Sequence, residues 1–155
     1  MEPESSNHDN AMTDLAGIAP AFSFVVDKDF VASASDYRPQ EFGNAVLVMT
    51  GTSFSLRFER DRGLVFVDAG NDAVGWHKLE YVLEFVDSSV TQQQFGDPPG
   101  LAIMANLLQL NWDGVVNLFS DQQEISQLQA FAKQKSAGLL SKLFNCPVHP
   151  SNKRR

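Results

Sequence analysis

The stretch Phe42–Asp68, FGNAVLVMTGTSFSLRFERDRGLVFVD, decides the fold. Ala45–Met49 is an almost unbroken apolar run, closed by Thr50-Gly51-Thr52. Ser53–Glu59 then alternates, with Phe54, Leu56 and Phe58 on one side and Ser53, Ser55, Arg57 and Glu59 on the other. Asp61-Arg62-Gly63 has the composition of a tight turn, and Leu64–Asp68 runs back. Strict alternation marks an antiparallel sheet with one wet and one covered face. The stretch therefore predicts three strands of a meander joined by two tight turns.

Upstream, Phe30–Ala34 reads as a first strand, and Asp36-Tyr37-Arg38-Pro39 as a connection, because the residue before proline is pushed out of the helical region. Leu15, Ile18, Phe22 and Val25 approach a helical spacing. Pro20 interrupts it, so the helix is expected to begin near Ala21 with the proline at its N-terminus.

Downstream, Asn71-Asp72 and Gly75 mark a break, and the period changes. Trp76, Leu79, Leu83 and Val86 form one stripe of a helix, whereas Leu79, Tyr81, Leu83 and Phe85 also alternate as a strand would. Ser88–Gly100 is a polar loop ending in Asp97-Pro98-Pro99-Gly100. Leu101–Leu110 is a strongly apolar helix, interrupted at Asn111–Gly114 before a short turn through Val115–Phe119. Ser120 and Gln123 have the spacing of a capping box. They open a last helix through Ile125, Leu128, Ala132, Leu139 and Leu143, stopped by Pro147 and Pro150. The expectation is an α+β domain: an N-terminal helix, a four-stranded antiparallel meander, and three or four helices packed on the face bearing Phe54, Leu56 and Phe58. Residues 1–10 read as a loose leader, 11–146 as the domain and 147–155 as a basic flexible tail.

A hydrophobic content of 43% with twelve Phe in 155 residues supports a real core rather than disorder. The only cysteine, Cys146, excludes an internal disulfide and fits a reducing compartment. The acidic, polar start lacks the pattern of a secretory signal, and no apolar run approaches the ~18–20 residues needed to span a bilayer. A cytoplasmic location is the expectation. Up to Glu124 there are nineteen acidic and six basic residues, a balance of −13; beyond it there are six basic and no acidic residues, so the net charge is −7. An acidic body repels phosphate backbones, which disfavours nucleic acid and favours a basic protein partner.

The sequence holds no strong catalytic signature. Cys146 and His149 have the spacing of half a zinc site, but His8 and His77 do not complete it at any recognisable spacing. Gly51-Thr52-Ser53-Phe54-Ser55 begins like a nucleophile elbow without its closing glycine. Neither G-x-G-x-x-G nor a P-loop occurs, so no cofactor and no metal are expected. Glu80 and Glu84 lie one helical turn apart, as a solvated face, as an acid–base pair or, with Asp87, as a contact surface for a basic partner. Arg57, Arg60 and Arg62 serve either surface pairing and turn chemistry or docking, because exposed sheet faces and hairpin tips commonly bind. Tyr37 and Phe42 either pack over the sheet edge or anchor a partner.

Asp36-Tyr37, Phe42-Gly43-Asn44-Ala45, Leu56-Arg57-Phe58, Asp61-Arg62-Gly63 and Val65-Phe66-Val67-Asp68, with Trp76 and Leu79, give residues 36–83 a likeness to known proteins. The segment resembles small bacterial α+β proteins similar to the immunity proteins of polymorphic toxin systems, single-domain inhibitors that bind and neutralise a toxin. The resemblance implies a non-enzymatic partner-binding protein but maps no site residue; the candidate contacts, Glu80, Glu84, Asp87, Tyr37, Arg57 and Arg62, come from their charge or expected exposure. A hydrolase or transferase with a carboxylate-lined site near His77 is the alternative. A weak homodimer through Leu101–Leu110 is another, set against a monomer with that helix in its core.

Overall fold

A computed structural model describes residues 15–38, 40, 41 and 43–145, with side chains as far as Leu139. The leader, Phe42, Pro39, Leu143 as a core side chain, and the segment with Cys146, Pro147, His149, Pro150 and the basic end lie outside the residues so described.

The sheet has five strands, not four: β1 (Val31–Arg38), β2 (Asn44–Thr50), β3 (Ser55–Asp61), β4 (Leu64–Asn71) and β5 (Gly75–Lys78). They follow one another across the sheet in chain order, and every neighbouring pair is antiparallel. The β3–β4 connection is a two-residue turn in which Arg62 (φ 53°) and Gly63 (φ 85°) are both left-handed. That turn matches the twist of the strands it joins, as its sequence suggested. The third strand enters the ladder at Ser55 rather than Ser53, because the Gly51 amide donates to the Phe54 carbonyl at 3.0 Å and closes the preceding turn.

Asp36–Arg38 is strand rather than connection. These residues pair with Val46, Ala45 and Asn44, since the turn after Arg38 is tight enough for the Glu41 amide to reach the Arg38 carbonyl at 3.0 Å. β1 is exposed along its whole length on both faces.

Trp76–Val86 is neither wholly helix nor wholly strand. Asn71 accepts hydrogen bonds from the amides of Ala73 (2.9 Å) and Val74 (3.0 Å), and this turn sends Gly75–Lys78 back along β4. The helix α1 (Leu79–Val86) starts only after that pairing ends. The helical reading holds over Leu79–Val86, so the alternation of Leu79, Tyr81, Leu83 and Phe85 falls within a helix and marks no strand, while Trp76 lies in β5 ahead of it.

On the covered face Leu47, Phe58 and Val67 stand opposite one another, as do Met49, Leu56 and Ala69, all of them buried. This face meets a 3₁₀ helix (Pro20–Lys28), preceded by one helical turn at residues 15–18, and the helices that follow the sheet. The 3₁₀ helix has proline in its first turn and ends at Asp29 in left-handed geometry (φ 66°). Beyond α1 come the single turn α2 (Gln92–Phe95), then α3 (Leu101–Leu110), α4 (Trp112–Phe119) and α5 (Gln122–Asn145). Phe54 sits at the join between layers, edge-on to Phe30 with centroids 5.2 Å apart and stacked on Phe119 at 5.3 Å. The expected packing of helices on Phe54, Leu56 and Phe58 is what the structure has.

The cap of α5 differs from expectation. Asp121 accepts from the Gln123 amide at 2.9 Å, while the Ser120 hydroxyl turns back to donate to the Val116 carbonyl at 2.7 Å. The aspartate is one residue closer to the helix, so its carboxylate outcompetes the serine for the free amides. A capping box does occur at Thr91 and Gln94, where it opens α2 inside the loop read as polar.

Candidate functional site

The site begins with a mismatch of strand lengths. β4 has eight residues but β5 only four, and their register covers Asp68 to Asn71. After Lys78 the fully buried Leu79 pulls the chain into α1 and away from the sheet. The remaining half of β4, Leu64–Val67, pairs with β3 on one side and, among the described residues, has no strand on the other.

A cavity of about 440 Å³ lies along that unpaired edge. It is lined by the consecutive residues Leu64–Asp68, by Lys78 at the end of β5 and, opposite them, by Glu80, Asp97-Pro98-Pro99 and Met104. Side chains of a strand alternate between faces, so only a cavity beside the strand's edge touches five residues in a row. Leu64 and Phe66 are 45% and 44% exposed, which gives the groove apolar walls. The far wall is set by α2, whose Phe95 is buried, and by the Gly100 amide bonding the Phe95 carbonyl at 2.7 Å across the Asp97–Pro99 bend. Past Lys78, Glu80, Asp97 and Pro99 the groove opens into a wider cleft of about 760 Å³, which reaches Tyr81 on α1 and Leu139 on α5.

Three carboxylates face this region. Glu80 occupies the first turn of α1, where the helix dipole favours an acid. Burial nevertheless pushes its carboxyl above the usual range, and Asp68 adds to the rise, while its own backbone amide and Lys78 oppose it. Asp68 is held by Arg57 at 2.8 Å on the open face of the sheet. The Arg57 guanidinium lies 4.6 Å from the centre of the Trp76 ring, and its buried Nε has no hydrogen-bond partner among the described residues. Asp97 forms the rim on the loop side.

The candidate contacts inferred from sequence do not form one surface. Glu80 lines the groove. Glu84 bonds Lys135 on α5 at 2.8 Å and accepts from Gln92 Nε2 at 2.8 Å, so its charge is used to tie three elements together. Asp87 accepts from the Ser89 amide (3.0 Å) and hydroxyl (2.7 Å) just beyond α1, and these bonds hold its carboxyl below the usual range. Arg57 reaches the groove only through Asp68. Tyr37 and Arg62 lie elsewhere: Tyr37 is 60% exposed beside Arg60, and the Arg62 amide bonds Asn44 at the hairpin turn. Near them a polar depression of about 320 Å³ is lined by Asp36, Glu41, Glu59 and Asp61 with Arg38 and Arg60, and Arg38 bonds Asp36 at 2.9 Å.

His77 faces the Val74 carbonyl at 3.4 Å and does not line the groove, so among the described residues no imidazole lies beside the carboxylates there. Among the described residues no cluster of three or more His, Cys, Asp or Glu has the geometry to hold a metal. Helix α3 buries Met104, Ala105 and Leu108 and leaves Ile103 and Leu110 outward. Among the described residues no helix is long and apolar enough to cross a membrane.

Asp68, Asp97 and the free strand edge escaped the sequence reading. Their signals were a strand-length run of eight residues followed by one of four, and the Asp97-Pro98-Pro99-Gly100 punctuation, neither of which says what lies beside what. No family model matches the chain, and the searches of curated proteins and of solved structures found no significant match.

Proposed function

We propose that this chain is a non-enzymatic binding protein of the inhibitor or immunity type, and that its groove beside β4 takes a basic element of a protein partner. The observation that carries the reading is the groove itself. It joins an unpaired strand edge, the exposed Leu64 and Phe66, and the carboxylates of Glu80 and Asp97 in one continuous depression. Apolar anchors with a charged rim are the usual anatomy of a recognition site, and among the described residues this rim carries Asp68, Glu80 and Asp97 against the single cation Lys78. A net charge of −7 would speed encounter with a basic surface and discourage acidic competitors. An inhibitor of this kind neutralises a toxin by covering its basic working surface inside the cytoplasm. The residues that bear on that role are those of the groove, with Tyr37 and Arg62 outside it.

The test is capture of the partner from the native cell lysate by tagged wild-type protein and by the double variant Glu80→Lys, Asp97→Lys. The expected result is one stoichiometric basic protein, retained at low salt, weakened at high salt, and bound at least about tenfold less tightly by the variant. Equal retention by both proteins would remove the groove from the interface.

A further inference from the structure

The unpaired half of β4 has a second property that the acidity of the groove does not explain. Half of the amides and carbonyls of a strand point towards each edge, and those of Leu64–Val67 that point away from β3 face the groove. Among the described residues, none of these four makes a backbone hydrogen bond with a loop or helix. Exposed sheet edges of this kind accept an added strand, with main-chain bonds giving affinity and flanking pockets giving specificity.

We infer that the groove binds an extended segment of a partner protein as an added strand, antiparallel to β4, with a lysine or arginine near the segment's N-terminal end. The inference rests on the binding-protein reading above and names the form and polarity of what is bound. Direction follows from β5, which runs antiparallel to β4 and stops at Lys78 opposite Asp68. A strand continuing that line opposite Val67, then Phe66, Val65 and Leu64, enters at Asp68 and Glu80 and leaves at Leu64. Its N-terminal end therefore lies where, among the described residues of the lining, the carboxylates of Asp68 and Glu80 outnumber the one cation, Lys78. Its later residues lie beside Leu64 and Phe66, where that lining carries no charge. Four free residues at roughly 3.3 Å each allow about 13 Å of pairing, enough for a segment of about four residues. Charge complementarity sets the basic residue at the first of these positions rather than the last.

The test uses isotope-labelled full-length protein and a synthetic probe, an acetylated and amidated hexapeptide of alternating threonine and valine with arginine as its second residue. Titration followed by amide resonances should give saturable shifts at Leu64–Asp68 and Lys78–Glu80. Moving the arginine to the fifth position or replacing it by glutamate should weaken binding at least about tenfold. Methylating alternate peptide nitrogens on the edge-facing side should abolish binding, because it removes the donors and leaves the side chains. Equal affinity of the methylated peptide, shifts confined to another region, or no saturable shift at millimolar peptide would each overturn the inference. Binding as described, together with no partner retained from lysate, would sustain the added strand and sink the inhibitor reading. A retained partner sensitive to charge reversal, together with no peptide binding, would sink the added strand alone.

Discussion

The two halves of β4 pair with β3 in one continuous register, yet one is closed and the other open. Asp68–Asn71 is held between β3 and β5, and Gly70 there adopts φ 139° with β5 so close that a Cβ would overlap the Gly75 carbonyl oxygen. Leu64–Val67 keeps β3 on one side and a groove on the other. The difference comes from Leu79, whose burial takes the chain out of the sheet after four residues. A core residue thereby creates a binding edge: the apolar surface gained beneath the sheet is matched by main-chain groups left open beside it.

The largest expected effect is in the closed half. Gly70→Ala forces a side chain against an immovable carbonyl in a conformation that L-residues avoid, and should cost about 3 kcal/mol or more of stability. Urea denaturation would read it; a loss below about 1 kcal/mol would mean that β5 is not pressed against β4 as described.

Within the open half, neighbouring residues should behave oppositely. Val67 is buried, so Val67→Ala should cost about 2 kcal/mol in the same measurement. Phe66→Ala should change stability by no more than about 0.5–1 kcal/mol and instead weaken peptide or partner binding severalfold, since Phe66 is an exposed wall of the groove. Equal stability losses at the two positions would erase the distinction between core face and groove wall.

The smallest effect concerns pH. Burial raises the Glu80 carboxyl above its ordinary value of 4.5, so the folded chain holds this proton more tightly than the unfolded one. This contribution to stability is fully present below the ordinary value and is lost as pH rises through the raised one. Glu80→Gln should remove that slope, leaving the variant relatively more stable towards neutral pH. Binding of a cation should have the opposite pH dependence. Affinity for the basic peptide should rise across the same window, with proton release on binding, because the cation favours the ionised carboxylate. Flat affinity across that window would separate Glu80 from the bound charge.

Local signals made the closed parts of the molecule legible. The Arg62-Gly63 turn and the alternation of Phe54, Leu56 and Phe58 were readable because each is written in neighbouring residues. Trp76–Val86 was ambiguous for a physical reason: the short helix Leu79–Val86 buries Leu79, Tyr81, Val82 and Leu83, so its apolar residues are too many to mark the helix period alone and their alternation mimics a strand. Glu84 looked like a free acid because its partner, Lys135, lies far along the chain on α5. The groove was the least legible feature. It depends on two strands of unequal length and on a loop brought opposite them, relations that no single stretch of sequence encodes.

Amide hydrogen exchange along β4, in the protein alone and with the arginine-bearing hexapeptide, tests the central claim most directly. The account predicts protection throughout Asp68–Asn71 in both states. Along Leu64–Val67 it predicts that the amides turned from β3 exchange quickly in the free protein and slow on binding. Protection of those amides in the free protein equal to that of Asp68–Asn71, or exchange unchanged at saturating peptide, would contradict it.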